Sequence, residues 1–321
     1  MKQAYACRHP PFRKGSTEMA VLILGNDQDE HAQHMRAYLT TQGAEVEFLD
    51  SATFPAQMQI SHQPARGEGT ICLPAGRTLA FADIESVYWR NYSGVSPAEL
   101  PDAEQAFIAA NDARSLFESL LICLPVRWVN GLAGYRWHQT KPAALARVAA
   151  LGAPVPATIV TNDPQAVLEF VDRHERCIFK PVQGGAHTQR VTREHLTEKN
   201  LASLAIAPVT IQEEVPGTDI RVFVAGRRVL ACEVRTKALD FRDDPDPEIV
   251  AVTLPDDVAG MCQQAAAKLA LLWTGIDLRR TPDGRYVFLE ANPSPMFLGF
   301  ERRSGLPLTE SLAALLLHAS E

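Results

Sequence analysis

The chain has 321 residues, 46% of them hydrophobic and 21% charged, and a formal net charge of −7. That length exceeds one small core and suits two or three lobes, while the acidic balance argues against a general nucleic-acid binder without excluding a local basic pocket. No apolar run approaches the roughly 18 residues of a membrane span, and six scattered cysteines with no CxxC pair fit reduced thiols in a cytosolic protein.

Met1 to Gly15 is basic but lacks the apolar segment of a signal peptide. Residues 1–18 are therefore expected to be a disordered leader. Met19 to Leu24 is an apolar run ending in Gly25-Asn26-Asp27, a buried first strand and its turn. Glu30 to Gln42 has Ala32, Met35 and Leu39 at helical spacing and Gly43 as a stop. Ala44 to Leu49 reads as a second strand, so the opening is βαβ and Rossmann-like. The absence of GxGxxG argues against a dinucleotide site. Phe54 to Gly76 reads as irregular. Ser86 to Arg90 is a strand whose end places Arg90 either at a ligand or stacked on Trp89. Pro101 to Cys123 reads as a long helix burying Phe107, Ile108, Leu116, Phe117, Leu120 and Leu121.

A second segment opens near His138. Lys141 to Leu151 is a short helix, Ala157 to Val160 a strand, and Asn162-Asp163-Pro164 caps a helix to about Arg173. Cys177 to Lys180 is a strand followed by the loop Gln183-Gly184-Gly185-Ala186-His187-Thr188. Its glycines would let backbone N–H groups approach a phosphate, with Lys180 as a point charge beside them. An ordinary turn explains the same residues, and no Walker GK[ST] is present. Val209 to Val215 is a strand, and Asp219 to Val224 with Arg228 to Arg235 is a hairpin around Gly226. Asp219, Arg221 and Phe223 share a face by parity. Its loop length is ambiguous, so cross-strand partners are not assigned. Asp256 to Leu271 is an amphipathic helix, and Pro307 to His318 closes the chain with Leu308, Leu312, Leu315 and Leu316 buried.

Between those helices, Ile276 to Pro293 reads as two strands joined at Asp283-Gly284, a strong hairpin signal. A two-residue loop puts Asp277 opposite Glu290, Leu278 opposite Leu289, Arg279 opposite Phe288 and Ile276 opposite Ala291. One face then carries Ile276, Leu278, Val287, Leu289 and Ala291, the other Asp277, Arg279, Glu290 and Asn292. Opposed carboxylates, with Cβ atoms roughly 5 Å apart, repel each other. With the Asn292 amide they make a site suited to Mg²⁺ and substrate phosphates. The alternative is an exposed face whose acids pair with Arg279 and Arg280.

The order of these parts resembles the ATP-grasp superfamily. The marks are Lys141, Lys180-Pro181 with its glycine loop, Gln212-Glu213-Glu214-Val215, Asp219-Ile220-Arg221, Gly275-Ile276-Asp277 and Glu290-Ala291-Asn292-Pro293. Within it the chain resembles the ribosomal-protein glutamate ligase branch, and more closely the graspetide (microviridin-type) peptide maturases. The nearer marks are Ala207-Pro208, Asp240-Phe241-Arg242, Thr281-Pro282-Asp283-Gly284 and Ser304-Gly305-Leu306-Pro307. It departs from them at Arg90-Asn91, where an Arg-Arg pair is usual, and at Ser294-Pro295-Met296-Phe297, where a glycine-containing run is usual.

The resemblance implies an α/β (α+β) ATP-grasp fold with a Rossmann-like pre-ATP-grasp domain at residues 19–135. The ATP-grasp central lobe would span 136–215 and the C-terminal lobe 216–321. It implies an ADP-forming carboxylate–amine or carboxylate–hydroxyl ligase working through an acyl phosphate and modifying a precursor peptide in the cytoplasm. A ligase of free amino acids or another small carboxylate, or a non-catalytic ATP-binding regulator, stands as the alternative. ATP would be held by Lys141, Lys180, Gln183, Gly184, Gly185, Gln212, Glu213, Val215 and Asp219. Arg221 and Arg235 would steady the acyl phosphate. Asp277, Glu290 and Asn292 would bind two Mg²⁺ ions, or Mn²⁺ in their place. No nucleic-acid or membrane partner is expected, and a homodimer is allowed.

Overall fold

Five consecutive apolar residues form strand β1, Ala20–Leu24, and all five are buried. They belong to a computed structural model that describes residues 19–236 and 243–317. The expected leader and the Asp240-Phe241-Arg242 segment lie outside the described residues. The described chain forms two compact units, 19–132 with 312–317, and 133–311.

In the first unit, helix α1 (Glu30–Thr41) begins where Asp29 Oδ1 accepts the Ala32 N–H at 2.8 Å, a side-chain cap that satisfies an otherwise orphaned donor. Strand β2, Glu45–Leu49, pairs parallel with β1. The stretch expected to be irregular holds β3 (Gln59–Gln63) and β4 (Glu68–Cys72), which with β5 (Thr78–Ala80) make a three-stranded antiparallel sheet. Its polar composition, alternating exposed and half-buried along β3, carries little hydrophobic signal. Strand β6 (Ile84–Trp89), helix α2 (Ala103–Cys123) and strand β7 (Arg127–Val129) complete a parallel sheet of order β2-β1-β6-β7. Helix α2 buries Phe117, Leu120 and Leu121 as expected, but Phe107 is 71% and Ile108 50% exposed. Arg90 donates to Asp29 at 2.8 Å, fastening the end of β6 to the start of α1.

The second unit begins with α3 (Leu132–Gln139) and α4 (Lys141–Ala149). Strand β8 (Thr158–Thr161), helix α5 (Pro164–Arg173), strands β9 (Cys177–Pro181) and β10 (Gln189–Arg190), helix α6 (Glu198–Ala202) and strand β11 (Val209–Glu213) follow. The strands form an antiparallel sheet of order β10-β9-β11-β8. Next come β12 (Thr218–Ala225), β13 (Arg228–Arg235), β14 (Glu248–Val252), α7 (Asp256–Lys268), β15 (Trp273–Arg280), β16 (Tyr286–Asn292) and α8 (Leu298–Ser304). Their sheet has the order β14-β13-β12-β15-β16. Its core face packs Ile220, Val222, Ile276, Leu278 and Phe288 against Val258, Cys262 and Ala265 of α7. Burying such a face stabilises the sheet by roughly 1.5–3 kcal/mol per large side chain. Helix α9, Leu308–Leu317, ends the described chain; its Leu316 carbonyl accepts from Ser86 Oγ at 2.9 Å.

The β15–β16 hairpin corrects the expected register. Thr281 and Arg285 bond across a three-residue loop, Pro282-Asp283-Gly284, with Gly284 at φ +85°, a left-handed position that glycine takes without strain. Leu278 therefore faces Phe288, and Arg279 faces Val287. A bulge just beyond restores Asp277 opposite Glu290 and Ile276 opposite Ala291. Phe288, not Val287 or Leu289, joins the core face, and Leu289 turns to the other side.

Candidate active site

The face of β12 and β15 away from α7 carries Asp219, Arg221 and Phe223 opposite Arg279, Asp277 and Gly275. Above it lies a cleft of about 390 Å³, walled on the other side by the smaller sheet. Lys180 reaches in from β9, Gly184 and Gly185 from the loop after it, and Lys141 from the first turn of α4. Gln212, Glu213 and Val215 lie along β11 and the short link to β12, and Glu290 and Asn292 come from β16. The expected site residues thus share one cleft, apart from Gln183 and Arg235. The Gln183 amide instead donates to Gln139. Arg235 follows Val234, the residue opposite Asp219, so strand alternation turns it to the other face. There it is half exposed and paired with Glu233 at 2.9 Å and Glu248 at 3.1 Å. The expected acyl-phosphate role of Arg235 is therefore not one its position supports.

Inside the cleft, each opposed carboxylate has its own cation. Lys141 Nζ lies 2.9 Å from Glu290 Oε2, and Arg221 Nη1 donates to Asp277 Oδ1. Burial raises the Asp277 pKa, with the Glu290 and Asp219 charges adding and Arg221 opposing. Burial works the same way on Glu290, but the Lys141 charge and hydrogen bond, helped by Lys180 and Arg221, hold it down to about 2. Two carboxylates that close push each other's titration apart. Both ion pairs engage only one oxygen of each carboxylate. Asn292 Oδ1 lies on the same face and accepts the Ser294 N–H at 2.9 Å. Among the described residues no group of three or more His, Cys, Asp or Glu is placed to hold a metal. Two carboxylates and an amide oxygen nonetheless fit Mg²⁺, which takes its other ligands from phosphate and water.

Three residues named in the sequence reading, Arg279, Glu214 and Gln212, make contacts that it did not foresee. Arg279 lies 2.6 Å from Asp219 and donates to the Val215 carbonyl at 3.2 Å, so it braces the Asp219 side of the cleft. Its alternation with Asp277 was a visible signal for the shared face. Glu214 lines the cleft and takes a two-bond contact from Arg190, at 2.8 and 2.7 Å. Gln212 is buried, donates to Thr158 Oγ1 at 2.8 Å and accepts from Lys180 at 3.4 Å, which fixes both side chains.

A family model described as a RimK-like ATP-grasp domain matches residues 141–316, the stretch that contains this cleft. The chain belongs to the RimK-like ATP-grasp family. Across 173 residues it is 25% identical to a tetrahydromethanopterin:alpha-L-glutamate ligase of Methanocaldococcus jannaschii. That match covers 50% of the chain and 59% of the relative, so less than two thirds of the relative is spanned. Among solved structures, the ATP-grasp ligase PsnB, complexed with a phosphomimetic variant of a minimal precursor, Mg and ADP, is 30% identical with a TM-score of 0.78. The match covers 93% of this chain and 99% of that one. The macrocyclase MdnC of Microcystis aeruginosa, bound with precursor peptide MdnA, matches at a TM-score of 0.80 over 94% of this chain and 100% of that one. At 21% identity it attests the fold alone.

Proposed function

We propose that this RimK-like ATP-grasp protein is an ATP-dependent ligase that activates a peptide carboxylate as an acyl phosphate and passes it to an amine or hydroxyl. The carrying observation is the pair of opposed carboxylates, Asp277 and Glu290, each already matched with a cation in a cleft that also holds Lys180. Lys141 and Lys180 would take phosphate oxygens, and Gln212 to Val215, which line the same cleft, would meet the base. A substrate carboxylate oxygen attacks the γ-phosphorus and the bond to ADP breaks. The amine or hydroxyl then attacks the acyl carbon, phosphate leaves and the nucleophile loses its proton. The peptide loses one water for each bond formed. Negative charge spreads over phosphoryl oxygens in both steps, and Arg221 offers a planar fork of donors to them. Asp277, Glu290 and the Asn292 amide oxygen would hold Mg²⁺, one ion or two, with Mn²⁺ as a substitute; bound there, the metal neutralises charge on the phosphates.

Resemblance to the ATP-grasp ligase PsnB, solved with a minimal precursor and with a precursor peptide, supports the peptide reading. The glutamate-ligase relatives support a second one, in which a free amino acid is joined. Co-expression with a candidate acidic, Ser/Thr/Lys-rich peptide followed by mass spectrometry separates them. Stepwise loss of water that disappears in Glu290→Gln supports the peptide ligase. Hydroxylamine trapping of an acyl phosphate without a dehydrated peptide points to the small acceptor. Neither product with any peptide or amino acid tried would contradict the ligase reading.

A further inference from the structure

Arg221 is 7% exposed, and its surroundings are unusual for a cation. Its guanidinium carbon lies 5.6 Å from the centre of the Phe223 ring and 5.6 Å from that of Phe300. The two rings meet edge to face, 5.5 Å apart at 67°, and make a corner around it. The floor is Gly275, opposite Phe223 on β15. A Cβ there would sit 2.7 Å from Arg221 Nη2, 2.8 Å from its Cζ and 2.8 Å from Pro295 Cβ. The guanidinium therefore occupies the space that any other residue at 275 would fill.

A guanidinium has five N–H donors. Nη1 donates to Asp277. Nε is buried and finds no partner among the described residues. Aromatic faces attract the charge but accept no ordinary hydrogen bond. An unmatched buried donor is destabilising, and none of the described residues supplies the missing acceptor.

We infer that Phe223, Phe300 and Gly275 are positioning residues that form a slot holding the Arg221 guanidinium against Asp277, with its spare donors turned to an anion bound in the cleft. The inference rests on the phosphoryl-transfer reading of the cleft and adds the residues that make Arg221 competent. It also gives a physical reason for glycine two residues before Asp277. Phe300 comes from α8, which follows Ser294-Pro295-Met296-Phe297, the run that departs from the related maturases.

The test uses the full chain and two readouts. In nitrogen-labelled protein, the Arg221 Nε–H resonance is assigned by its loss in Arg221→Lys. It should be displaced by the two ring currents and exchange slowly with solvent. Phe300→Leu, which keeps an apolar side chain, and Gly275→Ala should return it to the position of exposed arginines. Phe300→Tyr, which keeps the ring, should preserve the displacement. The second readout is the affinity gained by MgADP on adding aluminium fluoride, a mimic of the transferring phosphoryl group. Arg221→Lys should lose this gain. Phe300→Leu should reduce it roughly 3- to 30-fold, the range of a cation–π contact, while MgADP affinity without fluoride changes less. Loss of the gain in Arg221→Lys but not in Phe300→Leu would overturn the slot and leave the functional reading standing. Retention in Arg221→Lys would overturn both. An unmoved resonance in Phe300→Leu would overturn the slot by itself.

Discussion

Lys141 and Glu290 hold each other in a cleft that is proposed to take a nucleotide through the first and a metal through the second. A phosphate that draws Lys141 away leaves Glu290 open to the metal, so the two ligands should assist each other's binding. Lys141→Met should therefore weaken nucleotide binding yet tighten Mn²⁺ binding measured by electron paramagnetic resonance without nucleotide. Unchanged Mn²⁺ affinity would show that the ion pair does not compete with the metal. Lys180→Ala should weaken ATP binding by about 1.5–3 kcal/mol in calorimetry, the loss of one charge-assisted contact. Unaltered affinity would leave the glycine loop an ordinary turn. In the first unit, burial, then the Arg90 charge, lowers the His31 pKa from 6.5 to about 4, against the opposing charges of Asp29 and Glu30. Between those values the unfolded chain takes up a proton that the folded chain refuses. Stability should fall as pH drops from 6.5 towards 4, by about 3 kcal/mol in total, then level off. The difference between denaturation curves of wild type and His31→Gln isolates this term, and equal pH slopes would contradict it. At this scale the sequence revealed Asp277, Glu290 and Arg221 through strand parity. Arg235 was named by the resemblance alone, since its face on β13 depends on the two-residue loop Gly226-Arg227 between Ala225 and Arg228, whose length the sequence leaves open.

The elements show where pattern reading succeeds and fails. Most strands of the four- and five-stranded sheets announce themselves by apolar runs or alternation, and β12, β13 and β15 lie where expected. In the β15–β16 hairpin two departures cancel: the loop is one residue longer than Asp-Gly alone suggests, and a bulge takes the slip back before Asp277. The facing carboxylates were therefore legible although the intervening pairs were not. Polar β3, short β14 and the seven-residue α8 give little periodic signal. Missing α8 meant missing Phe300. The link between β11 and β12 carries a further constraint. Gly217 has φ +137°, and a Cβ there would lie 2.1 Å from the Arg280 carbonyl oxygen. Backbone cannot yield as a side-chain tip can. Gly217→Ala should cost roughly 2–4 kcal/mol, seen as a lowered denaturation midpoint. A midpoint within error of wild type would mean that the link rearranges freely.

For the whole molecule, a net charge of −7 offers no general field for an acidic substrate or a nucleotide. Lys141, Lys180, Arg221 and Arg279 supply the attraction locally, in one cleft. Family membership was legible because six short motifs occur in a fixed order over residues 141–316, the stretch the family model matches. The acceptor was not legible, since the chain departs from the related maturases at Arg90-Asn91 and at Ser294-Pro295-Met296-Phe297. Among the described residues no helix is long and apolar enough to cross a membrane. The central claim is that this cleft joins a substrate carboxylate to phosphate before any new bond forms. Transfer of a heavy oxygen isotope tests it most directly. A peptide labelled in its Asp and Glu carboxylates is turned over with ATP, and the released phosphate is analysed by mass spectrometry. The account predicts one labelled oxygen in the phosphate for each bond formed, and none with Glu290→Gln. Bond formation with unlabelled phosphate would contradict it.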